Sequence, residues 1–245
     1  MSGDRVAVVS GASSGIGRAT AVSLAAAGYR VHAGARRMDR LEALAAETGA
    51  SVGSLDVGSA ESVDAFCEPV ERCDVLVCSA GGALGRDPVE ASSDADWQAM
   101  FEVNVMGTVR MVRALLPPLR ASGNGHIVLI GSVAGHQAYA GGGGYNAAKF
   151  AARAVRDVLR RELVGDRIRV TEIAPGMVET EFSLVRFRGD AEKAAATYAG
   201  MTPLTAEDIA ECVTWAIDRP PHVNVDTMIV LARDQSDATT VNRTT

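Results

Sequence analysis

A glycine-rich turn between a short β-branched strand and a helix opens this chain: RVAVVS, then GASSGIG, then RATAVSLAAAG. That order leaves few folds open. Glycines at 11, 15 and 17 let backbone approach a pyrophosphate, which then sits on the positive end of the following helix. Gly28 follows the helical stretch at the C′ position where many helices end. Glycine-rich turns are common, and the place of this one between strand and helix is what gives it weight. Its spacing, G-x-x-x-G-x-G, differs from the usual dinucleotide fingerprint.

The alternation begun there runs through the chain without a linker. Apolar and β-branched runs predict strands near 5–10, 30–35, 51–56, 74–79, 126–132, 167–173 and 227–231. Helices are predicted near 15–27, 38–48, 59–67, 94–119, 145–164, 183–199 and 205–218. Such a pattern implies a single doubly wound, Rossmann-type α/β domain over 1–245, a seven-stranded parallel sheet flanked by helices. Its site should lie at the carboxyl ends of the strands, where Gly11, Ala80 and Ser132 fall. The stretch from Asp94 to Arg120 is long for one helix, so a kink is predicted near 104–107, with Pro117-Pro118 ending or bending the last turn. Thr205-x-x-Asp208 reads as a capping box. GGGG at 141–144 reads as a tight or mobile loop just before Tyr145.

Tyr145 and Lys149 are four apart in a helical stretch and share one face. Ser132 closes the apolar run HIVLIGS. A phenol beside an ammonium, with a hydroxyl from a strand end, is what proton transfer to a carbonyl oxygen requires. Half-ionising a tyrosine at pH 7 takes about 3 pKa units, or about 4 kcal/mol. A cation at about 4 Å supplies that much only at an effective dielectric of about 20, so Lys149 could activate Tyr145 only in a partly desolvated cleft. A lone Y-x-x-x-K would otherwise read as a capping aromatic and a surface lysine. The second predicted strand ends in Arg36-Arg37, 19 and 20 residues after Gly17. Arginine there suits the 2′-phosphate of NADP(H), where an acidic residue would suit NAD.

Taken together, GASSGIG (11–17), LDV (55–57), SAGG (79–82), Asn104, Ser132, YNAAK (145–149) and APGMVET (174–180) resemble the short-chain dehydrogenase/reductase family. The resemblance runs in order over nearly the whole chain. It implies that Tyr145 is the catalytic acid/base, that Lys149 holds the nicotinamide ribose and lowers the tyrosine's pKa, and that Ser132 positions the substrate oxygen. Asn104 would anchor a water relaying protons from Lys149. The cofactor would also touch Gly11, Ser13, Ser14, Gly15, Ile16 and Gly17, then Arg36 and Arg37. Asp56 and Val57 would border the adenine, Ala80 and Gly81 the cleft, and Pro175, Gly176, Val178 and Thr180 the nicotinamide side. One departure is Cys78-Ser79, where the family commonly has two asparagines that tie strand ends together. Ser79 can replace some of that bonding, and Cys78 reads as a small buried apolar residue.

The stretch from ETEFSLVRFRGD onward is similar to the NADP-dependent serine and 3-hydroxy-acid dehydrogenase branch of that family. A substrate lid over about 178–204 is then expected. Arg186 or Arg188 could clamp a substrate carboxylate, or be surface or subunit-contact residues. His136 could touch substrate or be a polar loop residue. The reading is an oxidoreductase moving hydride between NADP and a small β-hydroxy acid or its keto form. The alternatives are a reductase of a bulkier ketone in secondary metabolism and a non-catalytic cofactor-binding regulator. The resemblance also implies a homotetramer or homodimer built on the 94–120 and 145–164 helices.

Composition excludes other classes. A net charge of −6 over 245 residues offers nucleic acid no electrostatic footprint. No apolar run spans a bilayer, and MSGDRVAVVS lacks a signal-peptide layout. The four cysteines have no C-x-x-C spacing and no histidine pattern beside them, so a metal site is not expected and reduced thiols in a cytoplasm fit.

Overall fold

Alternate side chains of a strand point to opposite faces, so a sheet covered on both sides needs apolar residues at successive positions. The computed structural model describes residues 5–244 and has such strands at its centre. In β1 (Val6–Ser10), Ala7 and Val9 enter one core and Val8 the other. β4 (Val75–Cys78) and β5 (His126–Ile130) repeat this: Val75, Val77 and Val128 face the first core, and Leu76, Cys78, Ile127 and Leu129 the second. With β2 (Arg30–Ala35), β3 (Ser51–Ser54), β6 (Arg169–Pro175) and β7 (Thr227–Val230) they form one seven-stranded sheet in the order β3-β2-β1-β4-β5-β6-β7. All pairings are parallel, as predicted. Strand order reverses between β1 and β4, the switch point at which doubly wound sheets open a crevice.

Helices α1 (Gly15–Ala26), α2 (Met38–Thr48) and α9 (Ala206–Ile217) cover the first face with Leu24, Leu41, Leu44, Ile209 and Val213. α3 (Ala60–Cys67) and α5 (Gly107–Ala121) cover the second with Val63, Phe66, Met111, Leu115 and Leu119. Each fully buried leucine contributes about 1.5–3 kcal/mol, so the two faces carry most of the stability. The capping box at α9 is present: Thr205 accepts from the Asp208 amide, and Asp208 accepts from the Thr205 amide. His126 is buried with Nε2 2.8 Å from Thr171 Oγ1, a structural role.

Several local expectations change. The kink appears as a π turn, Glu102–Met106, between α4 (Asp94–Phe101) and α5. Pro117 and Pro118 do not end α5, which runs on to Ala121; their ring-fixed φ is helical, and the Pro118 carbonyl finds donors in Cys73 and Ser122. The helix predicted at 183–199 splits into α7 (Phe182–Arg186) and α8 (Ala191–Ala196). Between them Arg188 and Gly189 turn through φ of 54° and 91°, which an α-helix cannot follow. Glycines 143 and 144 are not loop: they start α6 (Gly143–Glu162). Their missing side chains let that turn seat on α4, where a Cβ would lie 2.7 Å from Trp97 at Gly143 and 2.5 Å from Met100 at Gly144.

Candidate active site

A cleft of about 440 Å³ opens at the carboxyl ends of the strands and takes in most of the residues singled out by the sequence. At its first wall the chain leaves β1 through Gly11, whose φ of 72° and close approach to the Ala80 amide exclude a side chain. A Cβ on Gly17 would fall on the Gly11 carbonyl. Ser14 caps α1 in an extended conformation, so the helix starts at the cleft with its first amides free for an anion. Ser13, Ser14, Gly15 and Ile16 line the cleft with them.

Arg37 donates from Nε and Nη2 to Ser13 Oγ (3.2 and 3.1 Å) and from Nη2 to Ser14 Oγ (2.7 Å). Its Nη1 reaches Glu181 at 2.9 Å, and Arg40 meets the same carboxylate at 2.8 and 2.9 Å. Those two guanidiniums, Arg40 foremost, hold the Glu181 carboxyl below the usual carboxylate range. Arg36 lines the cleft beside Arg37. Asp56 follows β3 and accepts from the Gly58 amide at 2.9 Å, which places it and Val57 on the cleft's rim.

The structure also shows what ties the strand ends together. Ser10 Oγ accepts from the amides of Ser79 and Ala80, both at 3.2 Å, and donates to the Val77 carbonyl at 3.4 Å. The expectation gave part of this task to Ser79; the bonds come from the end of β1. Burial pushes the Cys78 thiol up to about 12, consistent with its reading as an apolar residue.

Tyr145, Ser132 and Lys149 converge on the cleft. Ser132 Oγ accepts from the Ala134 amide at 3.1 Å and donates to the Pro175 carbonyl at 3.5 Å. Lys149 Nζ donates to the Ile130 carbonyl at 3.0 Å and stands 5.8 Å from the centre of the Tyr145 ring. Burial raises the Tyr145 hydroxyl above its ordinary value, with the Ser132 hydroxyl opposing it. The Arg186 guanidinium also opposes this rise, and burial outweighs both. Burial also pulls Lys149 down to about 8, against an opposing pull from Glu172.

Asn104 lies in the π turn, next to the three but outside the main cleft. Its Nδ2 donates to the carbonyls of Gly82 (2.9 Å) and Met100 (2.7 Å). A side chain on Gly81 would lie 2.7 Å from Asn104 Oδ1, so this glycine is sterically required.

At the opposite end, Pro175, Gly176, Val178 and Thr180 line the cleft, and Gln235 Oε1 accepts from the Met177 amide at 2.9 Å. Arg186 stands 5.7 Å above the Tyr145 ring centre. Its Nε donates to the Gly85 carbonyl (3.0 Å) and Nη1 to the Tyr139 hydroxyl (3.1 Å), while its buried Nη2 has no partner among the described residues. Arg188 points elsewhere and meets Asp96 at 2.6 Å, so it is not part of the cleft. His136 also misses it: Nε2 faces the Glu172 carboxylate at 3.2 Å, behind the Ser132 segment. Residues that sequence reasoning passed over are Ser10, Arg40, Tyr139 as an arginine partner, Glu172, Glu181 and Gln235. Only Glu172 carried a signal, as a carboxylate within the buried run RVTEIAP.

The model of the short chain dehydrogenase family matches residues 5–189. The chain belongs to this family. An uncharacterized oxidoreductase of Mycobacterium tuberculosis is 52% identical over 234 residues, covering 96% of this chain and 93% of that one. The NADP-dependent 3-hydroxy acid dehydrogenase YdfG of Salmonella typhimurium is 42% identical over 240 residues, covering 95% and 97%. Among solved structures, the closed form of serine dehydrogenase complexed with NADP+ is 39% identical with a TM-score of 0.92, covering 95% of this chain and 97% of that one. An alcohol dehydrogenase of Thermococcus sibiricus complexed with 5-hydroxy-NADP is 34% identical with a TM-score of 0.82, covering 95% and 98%. Within the family fold, the Ser132–Tyr145 pair and the glycine turn share one cleft.

Proposed function

We propose that this protein is an NADP-dependent oxidoreductase of small β-hydroxy acids, of the serine and 3-hydroxy-acid type, or of their keto forms. The observation that carries the substrate reading is Arg186. It holds a buried N–H, unpartnered among the described residues, beside the Tyr145 ring and inside the cleft. A carboxylate is the ligand that satisfies such a group most fully. The names of the relatives point the same way.

The cofactor end fits NADP on its own residues. The glycine turn leaves room for a pyrophosphate, and Arg36, Arg37, Ser13 and Ser14 form a cationic, hydroxyl-rich cradle for a 2′-phosphate. Bound NADP supplies the hydride chemistry. The chain supplies position and proton transfer. Arg186 orients the acid so that its hydroxyl meets Tyr145 and Ser132. Ser132 donates to the reacting oxygen, and Tyr145 takes the proton in oxidation or returns it in reduction. For that, Tyr145 must come down from its buried value. A charged Lys149 at about 6 Å offers about 3 kcal/mol at an effective dielectric of about 20. Asn104 braces the Gly82 loop against α4 and borders the space beside Lys149.

The segment 178–204, with α7 and α8, forms the lid. Phe101, Phe150 and Val158 remain 44%, 40% and 49% exposed on α4 and α6, which supports a homotetramer or homodimer packed there. No helix among the described residues is long and apolar enough to cross a membrane, and the four free cysteines fit a cytoplasmic setting.

The test follows NADPH formation by absorbance with L-serine, L-allo-threonine and unsubstituted 3-hydroxy acids. Saturable turnover that is absent without the carboxylate supports the reading. No turnover with NADPH bound tightly would move the substrate to a bulkier ketone and leave the cofactor in place.

A further inference from the structure

A second, small cavity of about 10 Å³, room for one water, adjoins the main cleft behind Lys149. Asn104, Lys149, Arg153, Arg156 and Glu172 are among its walls, and among the described residues Glu172 is the one carboxylate there. Glu172 rises from β6 with only 2% of its surface exposed. Gly131 makes room for it, because a Cβ at that position would fall on Glu172 Oε1. A carboxylate taken out of water needs opposite charge and hydrogen bonds to stay ionised. Its neighbours are His136 Nε2 at 3.2 Å and Arg156 Nη2 at 3.5 Å.

Arg156 does not use up this negative charge. Its Nη1 already meets Asp226 at 2.6 Å and Asp157 at 2.9 Å, on the outer side of the cluster. Lys149 has the complementary need: it is buried, and its hydrogen bond to Ile130 goes to a neutral carbonyl. Charged or titratable groups facing it are Tyr145, Arg153 and Arg156 from its own helix and Glu172 from β6, with Arg186 of the lid above Tyr145 and His136 behind Glu172. Three of these are cations, so Glu172 is the anion that can keep a fourth cation in place.

We propose that Glu172 is a positioning residue, the buried counter-ion that holds Lys149 as an ammonium aimed into the cleft. This rests on the roles proposed above for Lys149 and Tyr145. Without Glu172, burial alone would act on the amine, which would lose its proton at lower pH. The loss would then appear as a displaced pH dependence, whereas a merely structural role would lower activity evenly.

The experiment compares wild type with Glu172→Gln. Because that change leaves Arg156 buried beside a neutral amide, Glu172→Gln/Arg156→Met, which removes the pair together, is measured with it. Two readouts are taken from pH 6 to 9.5: NADPH affinity by fluorescence, and turnover of a 3-hydroxy acid. In whichever variant folds, both alkaline limbs should move down by about one pH unit, with near-normal NADPH affinity at pH 6. Glu172→Asp should fall between. Limbs at the wild-type pH, or an even loss at every pH, would overturn the proposal. The NADPH titration needs no substrate, so absent turnover in the wild type would count against the 3-hydroxy-acid reading alone.

Discussion

The two ends of the cleft are built differently. The cofactor end is backbone held by short-range design: Gly11, Gly15 and Gly17 lie within seven residues, and helix α1 starts among them. The substrate end is side chain held by long-range contact. Arg186 spans 101 residues to Gly85 and 47 to Tyr139. Steric exclusion governs the first and pairing of buried polar groups governs the second. A side chain added at a glycine of the first end should therefore alter whether cofactor binds at all, and a change at the second should, on the proposed function, alter which acid is chosen.

The sharpest test of that division sits where the ends meet. Tyr145→Phe should lower kcat by about 10²–10⁴ while leaving NADPH affinity and the KM for the acid near wild type; full activity would break the mechanism at both ends. Arg186→Ala should raise the KM for a 3-hydroxy acid by about 10–100-fold, the loss of a charge-assisted pair, with unchanged NADPH affinity. An unchanged KM would remove the carboxylate clamp. Arg186→Lys should recover only part, since a point charge replaces a fork.

A site far from both ends sharpens the comparison by contrast. His126 is at the amino edge of β5, and burial, helped by Arg169, pushes its ring down to about 3. The folded state thus refuses a proton that the unfolded chain accepts below about 6.5, so stability falls as pH drops through that window. By pH 5 the cost is about 2 kcal/mol. Thermal unfolding at pH 7 and 5 should show this loss in wild type and a smaller one in His126→Val, with both KM values unmoved. The mildest effect belongs to the cofactor end. Arg37→Ala should weaken NADP by about tenfold and leave NAD nearly unchanged, because Arg40 and Arg36 remain nearby. An equal loss for both cofactors would mean that Arg37 supports the turn through Ser13 and Ser14 and does not read the phosphate.

What the chain's order of residues determined by itself is the layered fold, the glycine turn and the convergence of Ser132, Tyr145 and Lys149. These follow from periods of two and 3.6 residues and from steric rules, which act over a few positions. Even there, local reading failed where a distant partner decided: glycines 143 and 144 became helix because Trp97 and Met100 pack on them. Tertiary structure alone separated Arg186 from Arg188, two residues apart, sending one into the cleft and the other to Asp96. It also took His136 away from the cleft to Glu172, and gave Ser10 the strand-end bonds. The physical reason is common to all of these. A charged or polar side chain goes where its desolvation is matched, and the matching group lies on an element that only the folded sheet brings alongside.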